Sequence, residues 1–138
     1  MRNHEVTFDT SRTPAVPTFA PVFNAAVRFV DRHIGEGRAA KIVIRCAAGD
    51  VSYGELAGNV DRCAHVLRDM GVAPGERVVM VVKDCAEFFY IFWGAIKAGV
   101  IPVPVNTIWR AKDYQYVLED SQCAAVFYSS DFAGEVEP

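Results

Sequence analysis

The sequence lacks an excess of charge of either sign. Fourteen Lys and Arg against seventeen Asp and Glu leave a formal net charge of -3 and a pI near 5.6. That balance argues against nucleic acid or an anionic membrane as partner. Cysteine is sparse. Cys46, Cys63, Cys85 and Cys123 stand 17, 22 and 38 residues apart with no CxxC pair, which speaks against a metal centre or disulfide framework and for reduced, mostly buried thiols. An uninterrupted membrane-length apolar run is also missing. Residues 85–105 come closest, but Glu87, Lys97, Gly99, Pro102 and Pro104 break them. Residues 1–21 hold charges and three prolines (Pro14, Pro17, Pro21) instead of the apolar core of a signal peptide. A cytoplasmic protein without a membrane span is expected.

The residues of common chemistries do not assemble either. His4 falls in the opening segment, His33 near a helix end, and His65 four residues after Asp61 on one helix. None has a second ligand at metal-binding spacing. Gly94 to Gly99 has the GxxxxG spacing of a phosphate loop. However, Val100 stands where its lysine belongs, and the run ends a helix instead of starting one. Asp113, Glu119 and Asp120 share a helix with Lys112, next to Arg110, and read as a solvated face. No catalytic, cofactor-binding or metal-ligating residue is assigned.

Gly75 to Asn106 is present and informative. Arg77 to Lys83 is a short β-branched run suited to a strand buried on both faces. Ala86 to Ala98 is long enough for a helix, with Gly99 as its left-handed terminator. Ile101 to Val105 is a second strand, thinned by two prolines. Strand, helix and strand make a βαβ unit with parallel strands. Phe88, Phe89, Tyr90, Ile91, Phe92, Trp93 and Ile96 nearly encircle the helix, and Glu87 and Lys97 lie about 80° apart on it. Such a helix is expected to be covered on almost all sides. Burying seven large side chains is worth on the order of 10–20 kcal/mol.

The chain's 138 residues suit one domain. Residues 1–21 read as a flexible tail, and 22–138 as the folded part. Phe23 to Ile34 has helical spacing and stops at Gly35-Glu-Gly37. Lys41 to Ala47 and Val51 to Tyr53 flank a turn, as in a hairpin. Ser52 with Glu55 matches a capping box that opens a helix running to Met70. A fourth helix near 111–120 and a last strand near 123–128 complete an α/β fold. Its parallel-sheet βαβαβ unit is preceded by a helix and a hairpin.

These runs carry a resemblance. Val51-Ser-Tyr-Gly-Glu-Leu56, Gly75-Glu-Arg-Val78 and Ile96-Lys-Ala-Gly-Val-Ile-Pro-Val-Pro-Val-Asn106 resemble, in order and spacing, the opening signatures of the adenylate-forming (AMP-binding) superfamily of acyl- and aryl-CoA synthetases. Phe23-Asn24, Asn106-Thr107 and Asp113-Tyr-Gln-Tyr-Val-Leu-Glu-Asp-Ser121 are similar to its benzoate–CoA ligase branch. Trp109-Arg110 departs from that branch, which has leucine and a helix-capping threonine there; losing the cap costs about 1 kcal/mol.

The resemblance implies an incomplete piece of the family's large N-terminal domain. In the parent enzymes Mg-ATP adenylates a small carboxylic acid, here an aryl acid such as benzoate, and coenzyme A then takes the acyl group. The family's phosphate loop, nucleotide motifs and catalytic lysine do not occur in these 138 residues. The chain is therefore expected to be inactive alone, to bind no cofactor itself, and to self-associate through its exposed apolar face. The competing reading is a free-standing, non-catalytic α/β binding or regulatory module. On either reading the Tyr-Gly-Glu-Leu and Lys-Ala-Gly motifs serve packing and capping.

Overall fold

The computed structural model describes residues 2–137; Met1 and Pro138, the outer limits of the expected tail and domain, lie outside the described residues. The opening segment, expected as a loose tail, contains a strand pair. β1 (Val6–Asp9) and β2 (Val16–Phe19) pair antiparallel, with Val6 opposite Phe19 and Asp9 opposite Val16. The hairpin packs little of itself, being exposed along nearly its whole length. Its base is what ties it down: His4 N–H donates to Val22 O, Ala20 N–H to Glu5 O, and the Phe19 and Phe23 rings meet edge-on at 4.8 Å.

The next helical stretch is shorter and less regular than its spacing suggests. A π-helical turn (Val27–Asp31) runs into α1 (Arg32–Gly35), with Val30 fully buried. β3 (Ile42–Cys46) and β4 (Gly49–Ser52) form the expected hairpin. α2 (Tyr53–Asp69) begins at the predicted capping box: Ser52 Oγ accepts Glu55 N–H, and the Glu55 carboxylate accepts Ser52 N–H. Leu56, Ala57, Val60, Ala64 and Leu67 form its buried stripe.

β5 (Arg77–Val81), α3 (Ala86–Ala98), β6 (Ile101–Pro104), α4 (Ala111–Ser121) and β7 (Ala125–Tyr128) build a three-stranded parallel sheet in the order β6-β5-β7. A 3-10 turn (Ser130–Phe132) and α5 (Ala133–Val136) follow. Central β5 is buried on both faces, as its unbroken apolar run requires. On one face Val78 packs with Leu67 of α2 and Ala95 of α3; on the other Val79 and Val81 pack with Tyr114 of α4.

α3 corrects the expectation of all-round cover. Its fully buried residues are Ala86, Gly94 and Ala95; all seven large side chains stay partly exposed, and Phe89 is 40% exposed. The cause is the close approach of α2. A Cβ added at Gly94 would lie 2.6 Å from Cys63 Cβ and 3.1 Å from Val60 O. The helices touch through small residues, so the aromatics flank the contact and do not fill it.

Candidate functional site

Open parallel sheets bind ligands in the crevice beyond the carboxyl ends of strands whose connections leave to opposite faces. β5 and β7 meet that condition, since β5 leads into α3 on one face and β7 into α5, which packs beside α4 on the other. Between them lies a crevice of about 430 Å³ lined by Lys83, Cys85, Glu87, Tyr128, Ser129 and Asp131. Lys83 Nζ pairs with Asp131 at 2.6 Å, and Lys83 N–H donates to Ser129 Oγ at 3.2 Å. The pair holds Lys83 above its ordinary pKa and Asp131 below the usual carboxylate range. Burial, together with the Glu87 carboxylate as hydrogen-bond acceptor, raises the Cys85 thiol, and the same bond lowers Glu87. Hydrogen bonding to Glu137 raises the Tyr128 phenol.

A raised thiol is a poor nucleophile, and a lysine held as an ammonium by its carboxylate partner is no base. The crevice presents the Lys83 ammonium, the Asp131 and Glu87 carboxylates and the Ser129 hydroxyl as polar groups that can orient a partner. An apolar cleft of about 450 Å³ lies elsewhere, bounded by Phe29, Val43, Ile44, Phe89 and Trp93. Among the described residues, no group of three His, Cys, Asp or Glu could hold a metal ion.

The histidines are dispersed and engaged. His4 Nδ1 accepts Asn24 N–H at 3.0 Å, and His65 Nδ1 lies 2.7 Å from Asp61 O. His33 stacks on Tyr53 with centroids 3.9 Å apart and accepts from Arg38 Nε; burial and the Arg38 charge lower its pKa. All four cysteines are free. Asp113 accepts Arg110 N–H, and Glu119 accepts from Gln115. α4 keeps a cap despite lacking threonine at position 110. Glu135 accepts Ala111 N–H at 2.8 Å and pairs with Arg110 at 3.0 Å.

The signature runs lie away from the crevice: Val51–Leu56 caps α2 and packs with Ala86 at the amino end of α3, while Gly75–Val78 and Ile96–Asn106 meet at its carboxyl end. Gly99 ends the helix at φ 80, and its carbonyl accepts the N–H of Gly75, itself at φ 88. Those signs of φ favour glycine at both positions. Glu76 O accepts Ile101 N–H and Arg77 Nε donates to Ser121 O, which fixes the strand register. Lys97 Nζ bridges Asp31, at 2.8 Å, and Asp61. Burial alone would lower its pKa, but the two carboxylates raise it. Asn24 donates to Ile96 O at 2.9 Å and accepts Ala26 N–H, so one amide caps α3 and opens the next helical turn. Sequence reasoning missed Lys83, Asp131 and Glu135 because their partners lie 48 and 25 residues away; no local pattern marks such pairs.

A comparison with protein families matches residues 30–137 to a family described as AMP-binding enzyme. A 4-hydroxybenzoate–CoA/benzoate–CoA ligase of Rhodopseudomonas palustris is 45% identical over 115 residues, 83% of this chain and 21% of that protein. A benzoate–CoA ligase of Thauera aromatica is 38% identical, covering 89% of this chain and 24% of its own. Among solved structures, a benzoate CoA ligase from Burkholderia xenovorans superposes with a TM-score of 0.81 at 36% identity, over 84% of this chain and 23% of that one. The chain thus spans about a fifth to a quarter of the length of these relatives.

Proposed function

The chain belongs to the AMP-binding enzyme family, and from that premise we propose that it is the N-terminal scaffold of an AMP-forming carboxylic acid–CoA ligase acting on an aryl acid such as benzoate. The observation that carries the reading is the agreement in sequence and backbone with benzoate–CoA ligases over more than four fifths of the chain. The scaffold role rests on what the matched signatures do here. They cap α3, set the β5–β6 register and join α2 to α3, and none of them reaches the crevice.

ATP, Mg²⁺ and coenzyme A belong to the parent reaction, and the residues described do not fit them. Cradling a triphosphate takes successive backbone N–H groups in a glycine-rich loop plus a free cation. Gly94 is instead filled by α2, Gly99 closes a helix, and Lys83 is tied to Asp131. On this reading the chain alone does not adenylate benzoate. The test is benzoate-dependent ATP–pyrophosphate exchange on the purified chain, alone and mixed with the remaining part of a benzoate–CoA ligase. Exchange only in the mixture supports the scaffold reading. Exchange by the chain alone, or failure of the mixture under conditions where the relative's own two pieces reassemble, overturns it.

A free-standing, non-catalytic binding module is the second reading. The coverage of both sheet faces by the chain's own helices favours it. It predicts that the mixture stays silent.

A further inference from the structure

Residues 32–54 close a circuit of contacts through His33. Arg38 is bound to it twice: its backbone N–H donates to His33 O at 2.8 Å, and its Nε–H to His33 Nδ1 at 2.9 Å. An arginine only donates, so Nδ1 carries its lone pair and the ring proton sits on Nε2. Arg38 O accepts Lys41 N–H at 3.0 Å. Lys41 O and Ala39 O in turn accept Tyr53 N–H and Gly54 N–H at 3.0 and 2.9 Å. Those are the first two amides of α2, which have no acceptor inside their own helix. A Cβ at Gly54 would stand 3.3 Å from Ala39 O, so the glycine admits the approach. The Tyr53 ring completes the circuit by stacking on His33, with centroids 3.9 Å and planes 16° apart.

We propose that His33 is an acid-operated latch: while neutral it holds the 36–41 segment on the first turn of α2, and when protonated it lets that segment go. Protonation turns Nδ1 from an acceptor into a donor facing the Arg38 Nε–H. It also places a cation where the surroundings oppose one. Arg32 flanks the ring on its own helix, and Arg38 and Lys41 approach from the segment. Glu36 is the one carboxylate among these groups, and Arg32 and Arg38 already share it. From α2 the ring meets the Tyr53 face and the positive end of the helix dipole. Burial, with the Arg38 and Arg32 charges, lowers the His33 pKa from the ordinary 6.5. The latch is therefore fully closed above that value and opens as pH falls from it through the lower, folded one. The inference rests on these contacts alone and not on the ligase reading.

Hydrogen exchange followed by NMR on the purified chain tests it, with rates expressed as protection factors so that the intrinsic effect of pH cancels. The Tyr53 and Gly54 amides should lose at least about tenfold in protection between about pH 7.5 and about pH 5, while the amides of β5 keep theirs. The loss should follow the titration of the His33 ring, and Arg38→Met should move that titration up toward the ordinary value. His33→Asn sets an amide oxygen in the place of Nδ1 and takes no proton, so it should keep both amides protected throughout. His33→Phe keeps the stack without the acceptor and should leave them weakly protected at either pH. Protection that stays constant through the His33 titration overturns the inference. So does an acid loss in His33→Asn equal to that of the unmodified chain, or full protection at neutral pH in His33→Phe.

Discussion

β5 and α3 are the two most apolar stretches of the chain, and they meet opposite fates. Val78 to Val81 are at most 1% exposed, whereas α3, with far larger side chains, buries only two alanines and a glycine. Side-chain size explains the inversion. A central strand presents both faces to covering helices, so medium β-branched residues and one methionine fill the space between layers. A helix laid against another at Gly94 brings backbones together, and bulky groups are displaced to the margins. Hydrophobicity therefore marks where a segment belongs, and residue volume decides how much of it disappears from water.

The sharpest way to break the comparison is Met80→Ala. It opens a cavity in a residue with no exposure and should lower unfolding free energy by about 2–5 kcal/mol in urea titrations. Next is Gly94→Ala, which places a methyl against Cys63 and should destabilise by about 1–3 kcal/mol. A compensating Cys63→Gly should recover part of that loss, where a simple loss of local flexibility would not respond. If Gly94→Ala is neutral, the account of the displaced aromatics fails.

Lys97→Met should have a smaller effect, about 1 kcal/mol near neutral pH. Its sign with pH is fixed. Asp31 and Asp61 raise the folded-state pKa of Lys97 above the ordinary 10.5, so its contribution is complete below the unfolded value and vanishes as pH rises through the folded one. Denaturation at mildly and strongly alkaline pH should show the gap between wild type and Lys97→Met closing. The smallest expected effect is that of Phe89→Ser: a change within about 0.5 kcal/mol, accompanied by weaker binding of a hydrophobic dye. A large loss of stability there would mean that the flank of α3 is core after all.

Much of the α/β unit was legible because its signals are local. The β5 run, Gly99, the Ser52–Glu55 box and the β3–β4 turn each fix structure within a few residues. The opening hairpin was not, because exposed strands carry no burial pattern and Pro14 and Pro17 argue for an irregular segment. All-round apolarity of α3 suggested cover on almost all sides, since a sequence does not disclose that a neighbour will dock on its smallest residues. The crevice was equally hidden, because Lys83 and Asp131 meet only when β5 and β7 become neighbours. The signature runs announced the family plainly, and the structure gives two of them a joining role at the carboxyl end of α3 and the third the cap of α2.

Asn24 also bears on the order in which the chain can become a protein. Its amide spans 72 residues to reach Ile96, Asp31 reaches Lys97, and Phe29 rests on Trp93. A ribosome delivers the amino end first, so Val30 and His33 can settle on α2 as soon as it forms, while the contacts of Asn24, Phe29 and Asp31 wait until α3 has been made. For that interval the Asn24 amide and the Phe29 ring lack the partners that α3 later supplies, and the opening segment joins the fold late although it is made first.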